Sequence, residues 1–394
     1  MSALNLFLGS LVGVAIVAAR WFYGRWRAAE ARRETEMAEL REAHAVALHT
    51  HTARLEATLD SMVEGLVVVD PRGRIVLANR AAEALFGFSR MMVGGTLLET
   101  LRHHEVAALA ARVGAEGAVI EQEVRIERPT VRVLQISAVG LRDPSGGAAG
   151  AVLVFHDVTR LRELEAVRQD FVANVSHELR TPLSLIKSTA ETLLDGAKDD
   201  PAVATRFLEI IDKHANRLTL LIDDLLLLAR LDAGRVEMTF EAWPLREAAQ
   251  DSLDDFGIMA RARGVTLENA VPADLVARAD PERLRQVLSN LIDNAIKYGR
   301  PEGRVTIGGR PLDDARVELT LRDDGPGIPP EAKERVFERF HRVYKARARE
   351  QGGTGLGLAI VKNVMQAHGG EVRVESAPGV GTTFFLTLPT MKDE

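Results

Sequence analysis

A helix that is apolar along one narrow arc cannot stand alone in water, and residues 160–194 encode such a helix. At about 100° per residue, Leu164, Phe171, Val175, Leu179, Ile186 and Leu193 gather on one side. A turn, Asp195 to Pro201, separates this run from a second one, Ala202 to Leu231, where Phe207, Ile211, Leu218, Leu221, Ile222, Leu225 and Leu228 repeat the pattern. Two helices joined by a short loop form an antiparallel hairpin. One hairpin buries too little surface by itself, so a second copy of the chain is expected to complete a four-helix bundle, making the protein a homodimer. Pro182 inside the first helix deletes the hydrogen bond to the carbonyl of Glu178 and leaves a soft point there.

His177 falls roughly opposite the apolar arc, so its imidazole is expected to face water whatever the helix packs against. An exposed side chain that changes charge near neutral pH is available for chemistry with an incoming group. Glu178 follows directly, and Thr181 lies one turn further along the same face. A histidine alone in this position reads first as a surface residue of a bundle helix. The seven consecutive positions Ser176-His-Glu-Leu-Arg-Thr-Pro182, however, resemble the phosphoacceptor box of bacterial sensor histidine kinases.

With 394 residues the chain exceeds one ordinary core, and two or three domains are expected. A formal charge of −6 gives no sign of a nucleic-acid partner, and the absence of cysteine excludes disulfides and thiolate metal sites. Leu4 to Ala19 is uncharged and mostly apolar, followed by Trp21, Phe22, Tyr23 and Trp26 and by Arg20, Arg25, Arg27, Arg32 and Arg33. This reads as a transmembrane anchor over residues 1–26 with an interfacial aromatic cluster, and the arginines place the carboxyl side in the cytoplasm. The alternative is a signal peptide cleaved near Val17-Ala-Ala19, against which the arginine flank counts. With so few residues ahead of the span, no extracellular sensor domain is expected. Residues 27–58, rich in Ala, Glu and Arg, read as a charged linker helix, with His44, His49 and His51 as solvated positions rather than metal ligands.

From 59 to 159 the pattern changes to short strands. Gly65 to Asp70 and Arg74 to Asn79 form a hairpin about Pro71-Arg-Gly73, a short helix runs from Ala81 to Phe86, and Glu121–Glu127, Thr130–Val139 and Ala148–Phe155 supply three further strands. The expected five-stranded antiparallel sheet, closed by Asp157-Val-Thr159, resembles a PAS domain. Such a domain either holds a small ligand or serves dimerisation and signal relay. His103-His104 reads as a surface pair rather than a haem site.

Beyond Gly234 the pattern is mixed α/β. Strands are expected near Val236–Phe240, Thr266–Asn269, Arg304–Arg310, Val317–Arg322, Glu371–Ser376 and Thr382–Leu388, and helices near Leu245–Ala262, Pro281–Tyr298 and Leu356–His368. No Gly-x-x-x-x-Gly-Lys-Ser/Thr loop occurs, so this is no P-loop nucleotide binder. Asn290 and Asn294 share one helix face with Lys297 beside them, and amide oxygens suit Mg²⁺. Asp323-Asp-Gly-Pro-Gly-Ile328 ends a strand with a carboxylate able to accept a hydrogen bond from an adenine amino group. Val336 to Phe340, then His341-Arg342, offers aromatic packing and a cation. Gly352-Gly-Thr-Gly-Leu-Gly-Leu358 opens a helix after a basic loop, Lys345 to Arg349, and a helix start favours anions.

In this order the four segments resemble the N, G1, F and G2 boxes of the histidine-kinase ATPase domain, an α/β sandwich shared with gyrase-type and Hsp90-type ATPases. The resemblance implies Asn294 as the Mg²⁺ ligand, with Asn290, Lys297 and Tyr298 contacting nucleotide and Asp323 reading adenine. Gly325, Gly327, Arg342, Gly353, Thr354, Gly355, Leu356 and Gly357 supply the cradle and lid. Asp293 departs from the family, where asparagine is frequent. The implied whole is a multidomain α+β chain: anchor (1–26), linker helix (27–58), PAS domain (59–159), dimeric helical hairpin (160–233) and catalytic ATP-binding domain (234–394). It is similar to membrane-anchored PAS-containing kinases such as the phosphate-regulon sensor, single-pass in the bacterial inner membrane. Such a kinase uses ATP and Mg²⁺ to phosphorylate His177, with Glu178 holding the ring tautomer, and passes the phosphoryl group to a separate response regulator. Thr181 would orient water for the reverse, phosphatase reaction. A transporter or accessory sensor protein is among the implied partners. Two other classes stay open: an ATPase clamp of the gyrase type in which His177 is incidental, and a scaffold that binds partners without transferring phosphate.

Overall fold

The computed structural model describes residues 2–89, 93–343 and 353–390, and within the first helix the side chains before Arg20 fall outside that description. The basic loop Lys345 to Arg349, and Gly352, also lie outside the described residues. The chain divides into two compact units, Met1–Ala166 and Val167–Glu394.

The first unit opens with α1 (Ser2–Asp60), a single helix through the expected anchor and linker. Among the described residues no helix is long and apolar enough to cross a membrane. The side chains of the expected span's apolar run, Leu4 to Ala19, are not among those described. Trp21, Phe22, Tyr23 and Trp26 are all exposed, with the Arg25 guanidinium 4.7 Å above the Trp21 ring and that of Arg27 5.5 Å above Tyr23. His44, His49 and His51 face solvent.

Five antiparallel strands follow: β1 (Gly65–Val69), β2 (Ile75–Ala78), β3 (Ala118–Ile126), β4 (Arg132–Arg142) and β5 (Ala148–Asp157), in the order β2-β1-β5-β4-β3. The alternation in β1, with Val67 and Val69 buried, is the period-two pattern of a sheet with one covered face. That face is covered by α2 (Arg80–Phe86), α3 (Leu97–Leu101) and α4 (His104–Glu116) around a core that includes Phe155, Leu153, Ile136 and Leu109. Asn79 knots the entry. Its Oδ1 accepts from Leu66 N at 2.8 Å and Ala82 N at 3.0 Å, while its Nδ2 donates to the carbonyls of Leu59 and Glu64, each at 2.9 Å. At the exit, Asp157 Oδ1 accepts from Thr159 N at 3.0 Å and its Oδ2 accepts from Arg132 at 2.7 Å. The hydroxyl of Thr159 in turn accepts from Val133 N at 2.9 Å. His103 and His104 stack in parallel at 5.8 Å, with His103 Nε2 3.1 Å from the Arg125 carbonyl.

Helix α5 (Thr159–Leu194) carries the His177 segment, with Pro182 inside it. In the second unit it returns through a single 3₁₀ turn, Ala197–Asp199, into α6 (Pro201–Asp232). Asp200 caps α6, accepting from Ala202 N at 2.9 Å, and Pro201 fills the first turn, where no amide partner is needed. The hairpin is therefore as expected, and its first-helix arc is only partly covered within one chain: Phe171, Val175, Leu179, Ile186 and Leu193 are half-buried, and Leu164 is exposed.

The remaining elements are β6 (Glu241–Pro244), α7 (Leu245–Asp255), α8 (Gly257–Ala262), β7 (Thr266–Ala270), β8 (Val276–Ala279), α9 (Pro281–Tyr298), β9 (Arg304–Asp313), β10 (Arg316–Asp323), α10 (Gly357–Ala367), β11 (Glu371–Ala377) and β12 (Gly381–Pro389). A five-stranded sheet runs β11-β12-β10-β9-β7, antiparallel except for the β7–β9 pair. Beneath it lies a core rich in Leu284, Leu288, Leu291, Ile360 and Val364 from α9 and α10.

Two expectations are corrected here. Residues 236–240 form no strand; the strand is β6, one segment later, and it pairs with the unforeseen β8. The reason is that Thr239 N donates to the side chain of Asp280 at 2.9 Å, and the Phe240 ring packs edge-on to His368 at 5.5 Å, so side chains hold this stretch in place of a ladder. The helix expected over 245–262 is two helices, α7 and α8, parted at Phe256.

Candidate active site

Helix α9 is the wall on which the site is built. Asp280 caps it, accepting from Arg283 N at 3.1 Å, and Pro281 follows in the first turn. Leu284, Val287, Leu288, Leu291 and Ile292 bury one face in the core. The amphipathic period then delivers Asn290, Asn294 and Lys297 to another face, where all three are half-buried against a cavity of about 310 Å³. Asp293 and Tyr298 line the same space. The Asp293 carboxylate is 2.5 Å from Lys297 Nζ, so the residue that departs from the family is spent on an ion pair. Asn290 Nδ2 is buried and has no hydrogen-bond partner among the described residues. Leaving a buried donor unmade is costly, and this one lies on a residue of the cavity wall.

Opposite α9, strand β10 delivers Asp323 to the cavity at 9% exposure. Burial pushes its carboxyl up to about 6, against the stabilising Gly325 amide, which donates to Oδ1 at 2.8 Å; neighbouring Asp324 adds to the rise. A buried acceptor of this kind suits a neutral N–H donor such as an amino group on a flat base. The turn after Asp323 must pass close under β11. Gly327 has φ +75°, and a Cβ there would collide with the Ala377 carbonyl oxygen. Ile328 N donates to Ser376 Oγ at 2.8 Å, which pins the turn.

The segment from Val336 to Arg342 is strapped to the glycine-rich segment. Phe340 N donates to the Gly355 carbonyl at 2.8 Å, and Arg342 Nη2 to that of Gly353 at 2.6 Å. Gly355 sits at φ +74°, with the Phe340 Cα 3.0 Å from where its side chain would begin. Gly353, Thr354, Gly355 and Gly357 reach the cavity, while Leu356 is buried and Gly325 acts through its amide on Asp323. Burial pushes the Tyr298 hydroxyl up and keeps it neutral. The Arg342 side chain is only 11% exposed, yet its Nε–H has no acceptor among the described residues. Cation, unpaired donor and glycine backbone together mark this as the end suited to an anion, with Asp323 marking the other.

The helical hairpin closes over that end. Leu220 and Asp224 of α6 line the cavity, and Leu221, Leu227 and Leu228 join the core that also holds α9 and α10. Asp232 binds Arg339 at 2.6 Å and Asn363 at 3.1 Å, and the rings of Phe171 and Phe340 meet at 5.9 Å. His177 is exposed, as expected, and is not part of the cavity wall. Glu178 points elsewhere: its Oε2 lies 3.0 Å from Arg342 and 3.5 Å from Arg217 rather than on the imidazole. Successive residues of a helix diverge by about 100°, and the partners supplied by the packed lobe decide the rest. Thr181 shares the His177 face, its hydroxyl donating to the His177 carbonyl at 3.2 Å. Asp224 was missed by the sequence reading; its only trace there is a carboxylate embedded among the leucines of α6.

Three families match the chain: the PAS fold over residues 53–158, the His Kinase A (phospho-acceptor) domain over 167–234, and the histidine kinase-, DNA gyrase B- and HSP90-like ATPase over 279–392. The sensor histidine kinase WalK of Bacillus subtilis is 34% identical over 346 residues, covering 86% of this chain and 56% of that protein. A WalK sensor protein kinase of Staphylococcus aureus is 32% identical over 339 residues, covering 85% of this chain and 80% of that protein. The chain spans little more than half the length of most of these relatives. A crystal structure of the histidine kinase ThkA in complex with the response regulator protein TrrA is similar over 83% of this chain and 96% of that one, at 24% identity and a TM-score of 0.47. With a phosphoacceptor helix and an ATPase lobe in one chain, and with WalK relatives matching along most of its length, the chain belongs to the sensor histidine kinases.

Proposed function

We propose that the protein is an ATP-dependent histidine kinase that phosphorylates His177 and hands the phosphoryl group to an aspartate of a separate response regulator. The observation that carries this reading is the pairing of an exposed imidazole on a hairpin helix with a cavity whose two ends differ in chemistry. Asp323 faces the adenine end; Arg342 and the glycine backbone face the phosphate end. In the transfer, a neutral ring nitrogen of His177 gives its lone pair to the γ-phosphorus. The N–P bond forms as the bond to the ADP oxygen breaks, ADP leaves with the electron pair, and the proton on the other ring nitrogen passes to solvent or to Glu178 once Arg342 has released it.

The donor set fits Mg²⁺. Asn294 offers a neutral amide oxygen, Asp293 is neutralised by Lys297, and the charge is left for the triphosphate to supply. When bound, Mg²⁺ neutralises charge on the phosphate oxygens. Asn290, Lys297 and Tyr298 contact and orient the nucleotide, and Arg342, once free of Glu178, attracts it. Because His177 lies off the cavity wall, transfer requires the ATPase lobe to move along the hairpin or the lobe of a second chain to reach it. Pro182, which leaves the Glu178 carbonyl without a helical donor, is a natural bending point.

A homodimer is part of the same reading, supported by apolar side chains that one chain leaves in water: Leu164, Val172, Leu183, Ile222 and Leu226. So is a single-pass anchor over residues 1–26 in a bacterial plasma membrane with the catalytic part cytoplasmic. It is supported by the uncharged run to Ala19 and the exposed aromatic and arginine belt behind it. A PAS relay fed by a membrane or accessory partner follows from that layout, which is also what likens it to the phosphate-regulon sensor.

The test is label transfer from γ-phosphate-labelled ATP to wild type and to His177→Gln. The substitution is expected to abolish protein labelling while ATP affinity stays within about twofold, since the ring is outside the cavity. Labelling that survives in the variant would sink the kinase reading and favour an ATPase clamp.

A further inference from the structure

The mechanism makes no use of Asp224, a carboxylate in the cavity wall. Asp224 projects from α6 into the nucleotide cavity, and its Oδ2 lies 3.3 Å from the Thr354 hydroxyl in the glycine-rich segment. Among the described residues it has no cationic partner within ion-pair distance, although two other hairpin carboxylates at this interface do: Glu178 has Arg342 and Arg217, and Asp232 has Arg339. A half-buried carboxylate with one neutral donor is poorly compensated. Burial pushes its pKa up to about 6, opposed by the Thr354 hydroxyl and helped by neighbouring Asp223. Its place is the phosphate end, on the segment that Gly353, Gly355 and Gly357 form with Arg342.

Resting on the reading of the cavity as an ATP site, we propose that Asp224 discriminates between ATP and ADP while the lobe is docked on the hairpin. The α6 carboxylate stands where the terminal phosphate of ATP has to lie, so the docked arrangement tolerates the diphosphate and opposes the triphosphate. Glu178 acts in the same sense by holding the Arg342 guanidinium that a terminal phosphate would otherwise engage. Arrival of ATP therefore works against both contacts and favours a lobe freed from α6, the condition under which Arg342 leaves Glu178 and the lobe can reach a phosphoacceptor. After transfer, ADP permits docking again. Asp224 is thus a specificity residue for the nucleotide state and takes no part in the chemical step.

The test compares Mg·ATP and Mg·ADP affinities of the full chain, by calorimetry at pH 7.5, for wild type, Asp224→Asn and Asp223→Asn. Asparagine keeps the shape of the side chain and can still accept from Thr354, so the fold is retained; a thermal melt checks this. Asp224→Asn is expected to tighten ATP binding about three- to tenfold and to change ADP binding less than about twofold. Asp223 is exposed one residue away, and its variant removes the same formal charge. Asp223→Asn is expected to move neither affinity, which separates a local effect from net charge. The inference is overturned if Asp224→Asn shifts ATP and ADP equally, if it shifts neither, or if Asp223→Asn reproduces its effect. Binding of neither nucleotide by wild type would bring down the ATP-site reading itself, and this inference with it.

Discussion

Replacing Asp323 by asparagine should weaken ATP binding strongly at neutral pH and about tenfold less in mild acid. The carboxyl is buried at the proposed adenine end and pushed up to about 6, so its charge is present at pH 7.5 and largely lost at pH 5.0. On that value the ionised fraction drops from about 97% to about 9%, roughly tenfold. A hydrogen bond to a charged acceptor contributes about 1.5–3 kcal/mol, so Asp323→Asn should cost on the order of 10- to 150-fold in ATP affinity at pH 7.5. At pH 5.0 the wild-type advantage should shrink about tenfold. Protonation of the triphosphate affects both proteins alike and cancels in the ratio of their dissociation constants, measured by displacement of a fluorescent ATP analogue. The apo protein gives an opposite readout. A carboxyl whose folded pKa is raised from 3.8 to about 6 contributes fully to stability only below the unfolded value, and that contribution is lost as pH rises through the folded one. The asparagine variant should therefore be more stable than wild type at pH 7.5 without nucleotide, by up to about 3 kcal/mol. A ratio that stays constant between pH 5.0 and 7.5, or a variant that binds ATP as tightly as wild type at pH 7.5, would refute the assignment of Asp323 to the adenine.

Other outcomes follow from the same geometry. Gly327→Ala places a side chain at φ +75° against the Ala377 carbonyl, and should cost at least about 2 kcal/mol in urea unfolding and loosen nucleotide binding with it; a variant of wild-type stability would show that the turn can shift. His368 is buried, its Nε2 accepting from Asp280 N at 3.0 Å and its Nδ1 2.8 Å from the Val364 carbonyl, and burial holds its pKa below the ordinary value. Its contribution is complete above the unfolded value of 6.5 and is lost as pH falls towards the folded one, with a slope of up to about 1.4 kcal/mol per pH unit. The melting temperature of wild type should accordingly drop more steeply than that of His368→Gln between pH 7 and 5.5; parallel curves would assign the acid sensitivity to other groups.

Much of this architecture was legible because it rests on periods. The arc from Leu164 to Leu193, the alternation in β1 and the four-residue step from Asn290 to Asn294 each follow from helix or strand geometry, and the elements lie where those periods place them. What misled the reading was side-chain capture of backbone. The apolar-polar alternation of 236–240 resembles a strand, but the partner of Thr239 N is the carboxylate that caps α9, 41 residues away. Nothing local in the sequence distinguishes an amide bound for a ladder from one bound for a distant aspartate.

Glu178 shows why the site itself was less legible than the fold. Adjacency in sequence suggested a carboxylate serving the imidazole beside it, yet on a helix adjacent side chains diverge, and the nearest cations come from α6 and from the lobe. Arg342 can bind Glu178 or an incoming phosphate with the same nitrogen, but not both fully, since its Nη2 already serves Gly353. The two readings of Glu178 are therefore two states of one residue. In the proposed reaction, Glu178 helps keep the lobe docked while it holds Arg342, and once the guanidinium leaves, the carboxylate beside His177 would be free to take the proton that phosphorylation releases. A motif gives the residue types for both states, and only the packed lobe shows which of them excludes the other.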